Sequence, residues 1–289
     1  MLAGVSNLTT QPGPVVKPAF NSKKTLKFAR KSLKRIVPFG LTLFFIPKIL
    51  AFYLCCGLVD VARNRRRTPS TLNRYFAGNG LCTWLLSPFN LLMDVLSLPF
   101  RNKGIYKMGD LPGPYQDEIK SIIAAAHESR LVERLEARLG EQKRGMIFFK
   151  WYGKNVQTSV DVPEYHRPYK FIRTIGVSIF NKKQSTGKHY GPLRVTLRVL
   201  YNINTIDSKD VYIKVGNHTH FWNADKLFIF DDTLQHQSCN ESEAVRYCLF
   251  VDILRPSSCP RVVSAVLCCV RILIARFNSA FYQNWTFIK

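Results

Sequence analysis

Acidic residues are scarce in this sequence, and its first 59 residues contain none. Against 19 Asp and Glu stand 42 Lys and Arg, a formal net charge of +23. That imbalance excludes an acidic solvating chain and favours anionic partners, a lipid surface or a nucleic acid. Paired cysteine motifs are also missing. Cys55, Cys56, Cys82, Cys239, Cys248, Cys259, Cys268 and Cys269 never fall in a CxxC spacing, so a zinc ribbon or a dithiol redox motif is excluded. Most lie in apolar runs, where a free thiol acts as a small hydrophobe, and a reducing compartment is expected. The amino-terminal residues lack the basic start, apolar centre and small-residue cleavage site of a secretory leader. No apolar run is uninterrupted. The longest candidate, Ile36–Val59, reaches the roughly 20 residues a bilayer requires, but Pro38, Pro47 and Lys48 break it.

What is present divides the chain. Residues 1–21, rich in Gly, Pro, Ser and Thr, are expected to be a disordered tail. Residues 22–109 form a basic, membrane-associated region. Within it, Ser22–Arg35 interleaves Lys and Arg with Leu26, Phe28 and Leu33. Residues 36–59 are a candidate transmembrane or re-entrant segment, and 84–100 an interfacial helix with Trp84 at headgroup level. Asp110–Gly140 carries a helical stripe of Ile119, Ile122, Ala126, Leu131, Leu135 and Leu139. Residues 110–256 are expected to be this helix plus a β domain, and 257–289 an amphipathic carboxy-terminal helix.

The β signals cluster late in the chain. Leu193–Tyr201 alternates, with Leu193, Val195, Leu197 and Val199 on one face and Arg194, Thr196 and Arg198 on the other. Val211–Val215 alternates as well, and Leu227–Phe230 and Tyr247–Leu254 are short apolar runs typical of buried strands. Phe148–Tyr152 begins the series. Polar breaks at Asp231-Asp232 and Cys239–Glu243 separate the later runs. Several short strands with turns between them predict a sandwich or barrel.

Three side chains in this stretch carry chemistry: His189, His236 and Arg246. Imidazole is a ligand for ferrous iron, and an arginine on a strand pairs with a carboxylate. His218 and His220 form a second pair at HxH spacing. His166 lies in a polar loop.

The order of these residues resembles the aspartyl/asparaginyl β-hydroxylase family of Fe(II)/2-oxoglutarate-dependent dioxygenases. The resemblance rests on His189, Leu197-Arg198, the turn Phe230-Asp231-Asp232-Thr233-Leu234-Gln235-His236, Arg246, and Asp252 to Pro256, with Val177-Ser178-Ile179 upstream. It covers Arg144 to Pro256, with a weaker echo at Leu86–Pro99. It implies a mostly β fold, a double-stranded β-helix (jelly-roll, cupin-like) barrel with flanking helices and an N-terminal membrane-associated helical region. It implies that His189 and His236 bind Fe(2+), that Arg246 with Ser178 holds the cosubstrate 2-oxoglutarate, and that Arg198 and Arg194 contact substrate or cosubstrate, with no catalytic group beyond the iron site. Asp231-Asp232 is read as the turn that positions His236. Gly191 stands where many such enzymes have the aspartate of His-x-Asp, a departure shared by the peptidyl aspartate hydroxylases of the family, and Leu200 replaces a family histidine.

Two substrate readings stay open under the resemblance. Ser87–Met93 is similar to the pre-barrel region of the lipid A and ornithine-lipid hydroxylases, which favours a lipid acyl chain. The His-x-Gly departure favours aspartate or asparagine in a protein. A third reading is a non-catalytic barrel binding acidic lipid or nucleic acid. The expectation is a membrane-associated oxidoreductase that modifies lipid, on an anionic lipid surface with its catalytic domain on the cytoplasmic side and no nucleic-acid partner.

Overall fold

The computed structural model describes residues 47–64, 68–139, 144–276 and 286–287, together with Arg30, Leu33, 36–40 and Phe44. The expected tail 1–21 lies outside the described residues, as does nearly all of the basic segment 22–35. Contacts divide the chain into two compact units, 1–50 and 51–289. The described residues of the first are helical and, except Leu50, exposed.

The helices are α1 (Pro47–Ala62), α2 (Pro69–Ala77), α3 (Leu81–Leu85), α4 (Ser87–Leu96), α5 (Gly113–Glu128), α6 (Leu131–Leu139) and α7 (Pro260–Arg276). No helix among the described residues is long and apolar enough to cross a membrane. The 16 residues of α1 rise only about 24 Å, and the transmembrane expectation for 36–59 finds no support there. The interfacial helix expected over 84–100 is instead two helices, α3 and α4. Trp84 is buried and donates from Nε1 to the Tyr53 carbonyl at 3.0 Å, so it is a packing residue and no headgroup anchor. The single helix expected over 110–140 is two as well. It breaks at Ser129-Arg130, where Arg130 takes φ +48°, and the apolar stripe resumes at Leu131.

The strands are β1 (Ile105–Tyr106), β2 (Arg144–Trp151), β3 (Lys154–Asn155), β4 (Ile172–Phe180), β5 (Gln184–Ser185), β6 (Thr196–Asn202), β7 (Val211–Val215), β8 (His218–Phe221), β9 (Leu227–Phe230), β10 (His236–Asn240), β11 (Arg246–Leu254) and β12 (Thr286–Phe287). They form two mostly antiparallel sheets. The larger runs β1-β9-β6-β11-β4-β2-β12, with β3 against β2, and the smaller runs β5-β10-β7-β8. Two corrections concern the site. The strand expected from Leu193 begins only at Thr196, so Arg194 lies before it. Polar residues 236–240, read as turn and break, are strand β10, paired with both β5 and β7. Four of its five side chains are nonetheless buried.

The period-two pattern of β6 now has a physical meaning. Leu197 and Val199 belong to the core shared with Ile119, Ile122, Leu131 and Leu135 of α5 and α6. Leu200 belongs to the core between the sheets, with Val211, Ile213 and Val215 of β7, Phe228 and Phe230 of β9, and Cys248 of β11. Two sheets closed over one apolar interior, helices on the outer face of the larger, make a barrel of jelly-roll type. Helix α7 lays Val263 and Leu267 against Leu254, Val195 and Met93, which places the amphipathic carboxy-terminal helix on the barrel.

Candidate active site

His189 and His236 come from segments 47 residues apart but form one bridge between chains of strand. Each backbone N–H donates to the other's carbonyl at 2.9 Å. Partners in such a pair project their side chains to the same face, and the two rings lie 4.1 Å apart between centroids. Each ring is turned by the same local device. Nδ1 of His189 donates to the Gly187 carbonyl at 2.8 Å, and Nδ1 of His236 to the Leu234 carbonyl at 2.9 Å. A carbonyl only accepts, so Nδ1 is the donor in both rings and Nε2 is the nitrogen each ring has left to offer. Burial, followed by the neighbouring His189, pushes the His236 pKa well down, which keeps this ring neutral.

Asp232 completes the group. Its Oδ1 lies 3.2 Å from His236 Nε2. With the Nδ1 proton of His236 on the Leu234 carbonyl, the two face each other as acceptors, and the Arg198 guanidinium supplies the neighbouring positive charge. A Cβ added to Gly191 would land on the Asp232 carboxylate. The space that an aspartate at 191 would fill is thus already taken by a carboxylate from the Asp231-Asp232 turn. Among the described residues no group of three or more His, Cys, Asp or Glu is placed to hold a metal ion; the two imidazoles stand as a pair, and the Asp232 carboxylate is committed to Arg198. We expect Gly191→Asp to weaken binding of a divalent ion unless Asp232 is shortened in the same protein, as read by calorimetric titration with Mn(II).

Arg198 donates from Nη1 to Asp232 Oδ1 at 2.6 Å and from Nε to Asp252 Oδ1 at 3.0 Å, and its guanidinium lies 4.1 Å over the Phe250 ring. Burial opposes its charge, but the two carboxylates prevail and hold it firmly protonated. Burial raises the Asp252 pKa against the pull of Arg198. Arg198 therefore fixes the carboxylate beside His236. Arg194 is placed elsewhere. It does not share a strand face with Arg198, and its guanidinium is buried among Asp60, Asp94 and Asp231. The expected substrate contact at Arg194 is corrected on that ground: no part of its charge is left over.

Arg246 is the opposite case. It is 1% exposed, lies 4.5 Å and 5.2 Å from the Phe180 and Trp222 rings, and donates from Nη1 to Ser238 Oγ at 3.0 Å. Its Nε has no partner, and no carboxylate pairs with it among the described residues. Burial pulls its pKa down. A buried cation without a counter-charge is costly, and an incoming carboxylate would relieve it. Ser238 follows His236 by two residues on the same strand face, about 7 Å along β10, which suits a short dicarboxylate reaching from the imidazoles to Arg246. Ser178, opposite Cys248 in the β4–β11 register, donates to the Cys248 carbonyl at 3.4 Å and lines the same face. His166 pairs with Asp161 at 3.0 Å, and His220 meets the Asp225 carbonyl at 2.9 Å; neither joins the group. Sequence reading missed Asp232 as a site group. Its position four residues before His236, in a chain whose residue 191 is glycine, was the available signal.

The Aspartyl/Asparaginyl beta-hydroxylase family matches residues 116–256. A curated relative, an ornithine lipid ester-linked acyl 2-hydroxylase of Rhizobium tropici, is 31% identical over 90 residues, which are 31% of this chain and 32% of that protein. The match thus spans about a third of the relative. A solved oxidoreductase of the 2OG-Fe(II) oxygenase family from Burkholderia pseudomallei aligns at TM-score 0.31 and 15% identity over 46% of this chain and 80% of its own. A cupin domain from Bordetella pertussis aligns at TM-score 0.24 and 13% identity over 39% and 98%.

Proposed function

On the premise that residues 116–256 carry an aspartyl/asparaginyl β-hydroxylase domain, we propose that this protein is an Fe(II)/2-oxoglutarate-dependent hydroxylase acting on the acyl chain of a membrane lipid. The observation that carries the reading is the pairing of two Nε2 atoms, turned to one face, with a buried arginine that has no counter-charge. His189 and His236 would hold the metal with Asp232 beside them, and Arg246 would hold the far carboxylate of the cosubstrate. When bound, iron and 2-oxoglutarate would activate dioxygen, one atom of which would enter an unactivated C–H bond and the other the succinate left when the cosubstrate loses carbon dioxide.

The chain's own residues do the rest. The Gly187 and Leu234 carbonyls orient the imidazoles. Arg198, itself held by Asp252, keeps the Asp232 carboxylate aimed at the pair. Phe180 and Trp222 keep the Arg246 end dry, which strengthens a carboxylate–guanidinium contact, and Phe230 packs on the His236 ring. The lipid reading draws on the named activity of the Rhizobium relative and on exposed apolar side chains at Leu85, Leu92, Val95, Leu98 and Phe100, which suit docking on a bilayer surface. The peptidyl reading needs an uncommitted basic side chain facing a substrate carboxylate, and Arg194 and Arg198 are both spent on aspartates.

The test is mass spectrometry of lipids and proteins from cells expressing the wild type or His236→Ala. A gain of one oxygen atom on a lipid class, absent with His236→Ala and with His189→Ala but kept with His220→Ala, is expected. The same gain confined to aspartyl or asparaginyl peptides replaces the lipid reading with the peptidyl one.

A further inference from the structure

Beside the histidine pair lies a cavity of about 550 Å³ whose lining falls into two parts. Its floor is Ile105, Val215 and Leu234, side chains that belong to or pack on the core between the sheets. Its rim is polar and basic, with Arg63, Lys103 and His218 among the lining groups and no carboxylate. The opening is bracketed by two glycines in the left-handed region. Gly104 has φ +77°, and a Cβ there would meet Leu234 Cδ1 at 3.1 Å; Gly216 has φ +57°, and a Cβ there would meet the Asn64 carbonyl at 3.1 Å. Both walls are pinned. Gly216 donates to the Gln235 carbonyl at 2.8 Å, Gln235 donates to Asn64 Oδ1 at 2.6 Å, and Asp231 donates to the Gly104 carbonyl at 2.8 Å. The cavity is a built feature, and it touches the site through Leu234, whose carbonyl orients His236.

An apolar floor beneath a cationic rim is complementary to a molecule with an apolar tail and an anionic head. We propose that this cavity takes the anionic head and first methylenes of the amphiphile that the enzyme modifies. The step deepens the lipid-hydroxylase reading and rests on it for the reaction, though not for the binding. Arg63 is tied to Asp231 at 2.7 Å. Lys103 pairs with Asp110 at 2.6 Å but stays 56% exposed, where an ion pair contributes little and yields to a second anion. Lys103 is thus the rim cation available to a headgroup. The chain leading into each wall supports the same orientation. Leu58 and Val59 precede Arg63, and Leu98 and Phe100 precede Lys103, and all four are exposed apolar side chains. Seated in the outer part of a bilayer, they would bring the cavity mouth to headgroup level.

The test titrates the full-length protein calorimetrically with dodecyl phosphate below its micellar concentration, without metal or cosubstrate. Inorganic phosphate and dodecyltrimethylammonium are the comparison ligands. Dodecyl phosphate should bind about tenfold more tightly than either. Lys103→Glu should weaken it about tenfold and Lys103→Gln roughly threefold, the range expected for one charge-assisted contact. Lys209→Glu, the same charge change at an exposed position on the β6–β7 loop, should leave it unchanged, and melting curves of all variants should overlay. Equal affinity for free phosphate shows a polar anion site only. Equal affinity for the cationic amphiphile, or equal behaviour of Lys103→Glu and Lys209→Glu, shows a non-specific apolar surface. Either result overturns the proposal. Because binding is read without iron, a wild type that binds dodecyl phosphate yet never forms succinate sinks the hydroxylase reading and leaves the cavity assignment standing.

Discussion

Replacing Arg194 with methionine is expected to remove about 3–5 kcal/mol of stability and to lower the melting temperature by on the order of 10 °C. This guanidinium donates to Asp94 Oδ2 at 2.6 Å and to Asp60 Oδ1, and its Nε lies 3.2 Å from Asp231 Oδ2. It joins the end of α1, the helix α4 and the turn before His236. Methionine fills the volume but leaves carboxylates buried with fewer cations. The loss has a pH signature. Burial alone would raise the Asp231 pKa, but Arg63 and Arg194, with the Thr233 hydroxyl, hold it far below the usual carboxylate range. A folded-state pKa below the unfolded value gives stability that is present above about pH 4 and lost as the pH falls below it. The gap between wild type and Arg194→Met should therefore be widest near neutrality and narrow under acid. Thermal denaturation across that range checks both points, and a gap that does not change with pH would show that the arginine acts through packing alone.

Arg246→Met should act with the opposite sign on the fold. The wild-type guanidinium is buried beneath Phe180 and Trp222 with its Nε unpartnered. Removing it relieves an unpaired charge, so the variant should melt at or above the wild-type temperature without cosubstrate. Turnover of 2-oxoglutarate should fall steeply. A charge-assisted contact contributes about 1.5–3 kcal/mol, roughly tenfold to a hundredfold in affinity, and the loss should appear in KM for 2-oxoglutarate. Lysine at 246 should recover only part of it, because a single ammonium does not reproduce a forked guanidinium. If Arg246→Met instead unfolds the protein while the surviving fraction keeps its KM, the arginine is a structural residue and the cosubstrate site lies elsewhere.

These two arginines show what was legible in the sequence. Arg246 opens a strand and follows His236 by ten residues, so local order announced it. Arg194 looked equally exposed to a ligand because it alternates with Leu193 and Val195. Its partners Asp60 and Asp94 lie 134 and 100 residues away, and nothing in a linear pattern ties them together. Strands β7, β9 and β11 were readable because their apolar side chains face one interior. Strand β10 was not, since His-Gln-Ser-Cys-Asn reads as a turn. Two of its polar side chains are buried because they line the site, His236 facing His189 and Ser238 accepting from Arg246, while Asn240 is buried donating to backbone carbonyls. Asp232 was read as part of a turn, which it is, but its carboxylate also fills the space beside Gly191.

The bridge between His189 and His236 has a consequence for exchange with solvent. The two residues protect each other's amide hydrogens directly, 189 N–H on 236 O and 236 N–H on 189 O. The segment around 189 joins β10 only through short pairings, while β10 is zipped to β7 along five residues. The ladder should therefore open from the 189 side first. Any ion gripped by both imidazoles would close that opening. Deuterium uptake at these two amides is then a direct gauge of occupancy, one that needs no substrate and no turnover.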